Sequence, residues 1–497
     1  MPADDAVVHT STGALRGTIA DGVRIHRSVP FAAPPIGALR FQPAQPVVPW
    51  DGVRDATESS LAPVQAKSPA PGLLGNPVGE DCLYANIFAP QAPGPHPVFV
   101  WLFGGGDMMG DAAVDLFDGT AFAKQGVVLV AINYRLGALG WMKLDHILGP
   151  AYAGAANAGL TDIVMALEWV QQEIANFGGD PTRVTLGGQS AGAKDPMTLL
   201  ATGAHNRSLF QSVILESGNA QCVWGAATSR VMADNTLVTL GLTPQTADKL
   251  LTMDALELWQ AFQDATNPVG YAPFFNRPTI DGRLVTSSGL DAVRAGAVNG
   301  LRVLIGNNHD EYDLLSPVAP ITTEPGVDHM NYVTTPQMAK DINDRYRTLR
   351  PDLSDADRWF RIMCDEEWWI PNVRFVEGLL ADGHDNEVWM YRFDFLPVNG
   401  PMKMRACHTA ELPFVFDTLG STYGRAMVGD TPGAEDLART ISSAWSRFIK
   451  GESPGGVGLP TWPVYDLQDR PVMILDTECR VEGDPWPDLR QAWTGVM

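Results

Sequence analysis

The stretch TLGGQSAGAKDP, residues 185–196, constrains this chain more than any other. The run RVTLGG leads into it with strand-like residues, and the run from Ala191 through MTLLATGA leads out with helix-forming ones. Gly188 and Gly192 flank Ser190 two positions away on either side. Glycine loses more conformational freedom on folding than any other residue, so it is a cost unless the backbone needs it. A buried strand that turns sharply into a helix at G-x-S-x-G has that need. The glycines let strand and helix pass closely, and the serine is held out on the turn. The pattern predicts a strand, a tight turn at Ser190 and a helix beginning at Ala191. A Gly-rich turn with a simple capping serine would use similar letters, so the rest of the chain has to decide.

The chain has 497 residues, 45% of them hydrophobic, which is enough for a large folded core. Its net charge of −22 disfavours nucleic acid, anionic membrane surfaces and strongly anionic substrates. No apolar run is long enough to span a bilayer, and the opening MPADDAVVHT lacks the basic and apolar regions of a secretory signal. Cys82, Cys222, Cys364, Cys407 and Cys479 are scattered and show no CxxC or Cys/His ligand spacing. These features predict a cytoplasmic protein without a disulfide framework, metal or cofactor. FGGGDMMG (103–110) is Gly-rich, but no Gly-Lys-Ser/Thr follows, so it is not a phosphate loop.

Along the chain, VFVWLF (98–103), GVVLVAINYR (126–135), FQSVILES (210–217), RVLIGNNHDE (302–311), EVWMYRFDF (387–395) and PVMILD (471–476) read as strands. Ile163, Leu167, Val170 and Ile174 recur at helical spacing within 159–178. LARTISSAWSRFIK (437–450) reads as a helix ended by Gly451. Apolar strands separated by helices indicate an α/β fold with a large parallel sheet covered on both faces. One unit over 1–497 is expected, with helical insertions around 225–300 and 320–385.

A serine hydroxyl is a weak nucleophile and needs a base, and the base needs an orienting group. After such a turn the partners follow in the order acid, then histidine. His205, His309, His329, His384 and His408 lie downstream, and His408 follows the strand 387–395 in the loop KMRACHTAELPFVF. Glu311 closes the stretch 302–311, at the carboxyl end of its strand, where open α/β sheets build their sites, with Asp310 and Asp313 as alternatives. The glycine run after 98–103 can turn backbone N–H groups onto an oxyanion, and Ala191 would add another from the helix start.

With these residues in register, the sequence resembles the type-B carboxylesterases, in the cholinesterase-like branch of the α/β-hydrolase superfamily. SVPFAAPPIGALRF (28–41), GEDCLYANIFAP (79–90), NYRLGALG (133–140), NAGLTD (157–162), NFGGDPTRVTLGGQSAGA (176–193), IGNNHDE, CHTAELPFVF and TWPVYD (461–466) carry the resemblance over nearly the whole chain. It implies Ser190 as nucleophile, Glu311 as acid, His408 as base, and an oxyanion hole from Gly105, Gly106 and Ala191. It implies ion pairs Arg40–Glu80 and Arg135–Asp162, and it places Trp224, Phe274, Phe275, Trp368 and Trp369 in segments that line the substrate gorge. The implied activity is hydrolysis of small to medium, mostly uncharged esters through an acyl-enzyme. A carbamate or amide hydrolase with the same triad and a non-catalytic binding protein are the alternatives. Monomer and homodimer are both open.

The chain departs from the family pattern at several places. Phe103 stands where histidine is usual, Asp107 where an aromatic is usual, Gln189 where glutamate is usual, and Tyr312 where glycine is usual. Lys194-Asp195-Pro196 replaces small apolar residues, and no cysteine precedes Cys82. A bare carboxylate at Asp107 would oppose a nearby oxyanion. It is therefore expected either to point into solvent or to pair with a cation, and Lys194 is the candidate partner.

Overall fold

Strands apolar along their whole length are stable only where both faces are covered. The structure, a computed structural model, describes residues 6–497 except 69, 204–207, 267–275, 317–329, 331–332, 382 and 457. Its central sheet is built in chain order from β1 (Thr18–Ala20), β2 (Val23–Pro30), β3 (Tyr84–Pro90), β4 (His96–Leu102), β5 (Val128–Ile132) and β6 (Gly179–Gln189). There follow β7 (Ser212–Glu216), β8 (Arg302–Asn308), β9 (Glu387–Phe393), β10 (Pro471–Leu475) and β11 (Arg480–Gly483). The spatial order is β11-β10-β9-β8-β7-β6-β4-β5-β3-β2-β1, eleven strands among the described residues.

The block from β5 through β10 is parallel throughout. β5, β7 and β10 are buried at every residue, as their unbroken apolar sequences require. The sheet is mixed rather than wholly parallel, because β1, β2 and β3 at one edge and β11 at the other pair antiparallel. β1 and β2 are joined through Asp21 and Gly22, both at positive φ. Asp-Gly is a strong two-residue hairpin signal, and it was there to be read.

Helices α1 (Ala158–Glu173) and α2 (Ala191–Leu199) follow β5 and β6. Ile163, Leu167, Val170 and Ile174 are fully buried on one face, so the helical spacing is realised as packing. Helices α3 (Ala226–Thr239) and α4 (Ala255–Thr266) belong to a second apolar cluster, separate from the main core, with Trp224, Leu237, Leu258 and Phe262 packed beside Leu139 and Met142. Helices α5 (Pro336–Leu349), α6 (Asp355–Cys364) and α7 (Ile370–Leu379) join the main core, α6 and α7 linked by a π-helical turn, Asp365–Trp369. The last long helix, α8 (Ala434–Ile449), is followed by Gly451 at φ 87°.

Both expected ion pairs form. Arg40 grips Glu80 with two hydrogen bonds of 2.7 and 2.6 Å, and its remaining N–H groups reach the carbonyls of Leu250 and Met253. Arg135 holds Asp162 at 2.8 and 2.6 Å with both side chains buried, and the Arg135 backbone N–H adds a bond to the same carboxylate. Removing one member of such a buried pair leaves the other charge uncompensated. Asp162→Ala is expected to destabilise the fold by about 3–5 kcal/mol, read as a lower urea midpoint against wild type.

Candidate active site

The site is assembled at the carboxyl ends of β4, β6, β8 and β9. At the end of β6 the chain enters the predicted turn with Ser190 at φ 57°, ψ −121°, and α2 starts at Ala191. Positive φ is uncommon for a residue with a side chain and costs about 1–3 kcal/mol. The reason for the flanking glycines is close approach. A Cβ on Gly188 would lie 2.2 Å from the Gly192 carbonyl oxygen and 2.4 Å from that of Leu102. A Cβ on Gly192 would lie 2.2 Å from the Leu102 oxygen. The helix start therefore presses directly on the end of β4. The Ser190 N–H donates to the Glu216 carbonyl at 2.8 Å, and its buried Oγ has no hydrogen-bond partner among the described residues.

Glu311 and His408 meet beside it. His408 Nδ1 donates to Glu311 Oε2 at 2.6 Å. The other carboxylate oxygen, Oε1, accepts from Ser217 Oγ at 2.6 Å and from the Asn308 N–H at 2.8 Å. The loops that carry acid and base are stitched together. The His408 N–H donates to the Glu311 carbonyl at 3.1 Å, the Asp310 N–H to that of Ala406 at 2.8 Å, and Asn308 Nδ2 to that of Cys407 at 2.6 Å. The alternative acids are engaged elsewhere. Asp310 pairs with His309 at 3.1 Å and Arg405 at 3.4 Å, and Asp313 pairs with Arg405 at 3.2 Å. His384 bonds the Gly378 carbonyl, and His205 and His329 lie outside the described residues.

Gly105 and Gly106 sit at φ 120° and 65° at the mouth of β4. Both line a pocket together with Ser190, Gln189 and His408. Among the described residues the N–H groups of Gly105, Gly106 and Ala191 have no acceptor. Leu73, Phe103, Met109, Phe117, Leu314, Leu315 and Leu412 make the cavity apolar. Asp111 also lines it, but its carboxylate is taken up by the N–H groups of Ala113 and Asn76 and by Asn76 Nδ2.

The expected aromatics divide. The Trp368 ring packs on the His408 imidazole at 5.1 Å, whereas Trp369 packs on Trp486 at 5.8 Å and Trp224 lies in the second apolar cluster. Phe274 and Phe275 lie outside the described residues. Ser217, Asn308 and the aliphatic lining were not singled out from the sequence. Nothing local marks them, because they join the site from separate strands and loops.

Asp107 takes neither of its expected routes. It is 2% exposed, so it does not reach solvent, and Lys194 bonds Glu367 at 2.7 Å instead. The Asp107 backbone, at φ 56°, is pinned through its carbonyl by the N–H of Gly137 and Nδ2 of Asn276. Burial pushes its carboxyl up to about 7, against the opposing pull of the Lys194 charge, while the nearby Tyr134 hydroxyl donates to the Phe103 carbonyl at 2.8 Å. Asp195, fully buried close by, is raised well above the carboxylate range by burial and by Asp107. Among the described residues Asp107 makes no contact ion pair, and burial disfavours its ionised form.

Comparison with known proteins agrees with this architecture. The carboxylesterase family model matches residues 4–485, and the chain belongs to the carboxylesterase family. It is 34% identical to the para-nitrobenzyl esterase of Bacillus subtilis (strain 168), over 98% of each chain. It is 33% identical to the fumonisin B1 esterase of Sphingopyxis macrogoltabida, over 93% of this chain and 84% of that one. The crystal structure of the Geobacillus stearothermophilus carboxylesterase EST55 superposes with a TM-score of 0.87 at 34% identity, covering 98% of this chain and 100% of that one. The protein is thus a serine hydrolase of carboxylic esters with the α/β-hydrolase fold.

Because the raised Asp107 carboxyl keeps its proton in the fold after the unfolded chain has released it, the contribution of Asp107 to stability falls as pH rises from about 4 to 7. Asn also tolerates the positive φ there. The melting temperature of Asp107→Asn is expected to gain on wild type between pH 5 and pH 8. A difference that is the same at both pH values contradicts the buried-acid account.

Proposed function

We propose that the chain cleaves uncharged esters through an acyl-enzyme on Ser190. The observation that carries this is the 2.6 Å contact from His408 Nδ1 to Glu311, beside a serine held at positive φ in an apolar cavity. With Nδ1–H committed to Glu311, the neutral imidazole presents the Nε2 lone pair. His408 takes the serine proton there as Ser190 Oγ attacks the ester carbonyl. Glu311 fixes the tautomer and offsets the charge that forms on the ring. Gly105, Gly106 and Ala191 donate N–H groups to the oxyanion, a contribution of about 10²–10³ in rate for each donor. His408 then protonates the leaving alcohol and activates the water that releases the acid.

Substrate class follows from the lining. Leu73, Met109, Phe117, Leu314, Leu315 and Leu412 offer no partner to a charged group, and the Asp111 carboxylate is already satisfied. That apolar lining supports small to medium uncharged esters. We also read the helices between 225 and 300 and between 320 and 385 as insertions on the sheet core, over a single unit. A reducing, cytoplasmic setting is supported by five unpaired cysteines, and no described helix is long and apolar enough to cross a membrane.

Ser190→Ala is expected to lower p-nitrophenyl ester turnover by at least about 10⁴-fold and to abolish labelling by a fluorophosphonate probe. Activity within tenfold of wild type would reject Ser190 as nucleophile. On wild type, kcat/KM for p-nitrophenyl butyrate should exceed that for the anionic hemisuccinate ester by at least about tenfold. Equal values would reject the uncharged-substrate reading.

A further inference from the structure

Position 189 brings a neutral amide against the imidazole. Gln189 is 1% exposed, and its Nε2 lies 3.2 Å from His408 Nε2 and 3.5 Å from Nδ1. An atom in line with the Nε2 lone pair would lie on the far side of the ring from Nδ1. Two nearly equal distances therefore place the amide nitrogen off that axis, beside the ring. The Gln189 amide oxygen is turned toward the glycine run, where a Cβ on Gly104 would lie 2.5 Å from it. Both ends of the amide are thus confined, one by the proposed base and the other by the proposed oxyanion loop.

The surroundings of His408 are otherwise rich in acid. Glu311 bonds Nδ1 from the loop after β8. Glu411, three residues along the base's own loop, bonds Asn308, and Glu216, at the end of β7, accepts from the Trp445 indole at 2.7 Å. Burial raises both of these carboxyls above the usual range, and repulsion from Glu216 and Glu311 raises Glu411 further. Asp365, Glu366 and Glu367 sit on the π-helical turn whose Trp368 packs on the ring, with Asp365 bonded to Arg361 and Tyr346 and Glu367 to Lys194. The Cys407 thiol, next to His408, is also pushed up by burial. A carboxylate at 189 would add full negative charge at contact distance from both ring nitrogens, where it would hold a proton on the base. An amide of the same shape fills the place and presents N–H hydrogens, which disfavour an added proton.

We propose that Gln189 is a positioning residue for His408, whose amide braces the imidazole beside its lone-pair axis and keeps the base unprotonated, and the enzyme active, toward acid pH. The proposal rests on the assignment of His408 as base. It distinguishes two properties of the side chain, its shape and its neutrality, and two variants separate them. Gln189→Glu keeps the shape and adds charge. Gln189→Met keeps approximate length and removes the amide.

The test is the pH profile of kcat/KM for an uncharged p-nitrophenyl ester, normalised to active sites by fluorophosphonate titration. Melting temperatures verify that the variants are folded. In Gln189→Glu the acid limb is expected to move upward by at least about one pH unit, in line with an opposite charge in contact with a titrating group. The alkaline plateau should stay within about tenfold of wild type. In Gln189→Met the limb should stay within about 0.3 pH unit of wild type, while kcat falls at least about fivefold at unchanged KM, as expected when a base is less well held. A Gln189→Glu limb that overlays wild type, or a Gln189→Met enzyme with wild-type kcat, overturns the proposal. Wild-type protein that takes no label at Ser190, or shows no acid limb, instead overturns the assignment beneath it.

Discussion

The structure around the site depends on one close contact, that of the α2 N-terminus against the end of β4. Gly188 and Gly192 bring backbone to backbone at distances where any Cβ would overlap the Leu102 carbonyl. That approach forces the chain through positive φ at Ser190. It also sets the glycine run 104–106 beside the serine, because the run is the direct continuation of β4. Strain of this kind persists only where surrounding structure over-determines it. Here the parallel block supplies that rigidity, with β6 hydrogen-bonded between β4 and β7. The Ser190 N–H is itself tied to the last residue of β7.

The second constraint is electrostatic. An unusual number of carboxyl groups is buried within and behind this site, and they are handled in three ways. Glu311 is saturated by donors from Ser217, Asn308 and His408. Glu367 has Lys194, a buried ion pair. Asp107, Asp195, Glu216 and Glu411 have little or no compensation, and burial holds them toward the protonated form. In a low-dielectric interior the neutral acid is the cheaper state. Glu311 is the carboxylate that bonds the imidazole among the described residues. The amide at Gln189 belongs to the same economy of charge.

Much of the fold was legible because its signals are local. The 3.6-residue spacing of Ile163, Leu167, Val170 and Ile174 needs only one helix to be expressed, and unbroken apolar runs such as β5 and β7 declare their own burial. The antiparallel edge was less visible, although Asp21-Gly22 signalled a hairpin. β2 and β3 pair across a long connection, residues 31–83, which no local pattern announces. Of the aromatics singled out as gorge residues, Trp368 comes to the imidazole, while Trp224 and Trp369 go to other apolar contacts. Bulk and apolarity are the same credentials for core and for pocket, so identity alone could not separate them.

By itself the sequence determined the turn at Ser190, the strand and helix on either side of it, the order of serine, acid and histidine, and the family to which that order belongs. Those properties depend on residues within a few positions of each other, or on order along the chain. Tertiary structure alone decided which charged and polar groups meet. Lys194 was expected opposite Asp107 and instead bonds Glu367, 173 positions away, while Gln189 lies against His408 across 219. Asp107 ends with neither solvent nor a contact cation, and its carboxyl is governed by burial. Such outcomes turn on how distant loops close over the sheet, and a difference of a few ångströms there exchanges one partner for another.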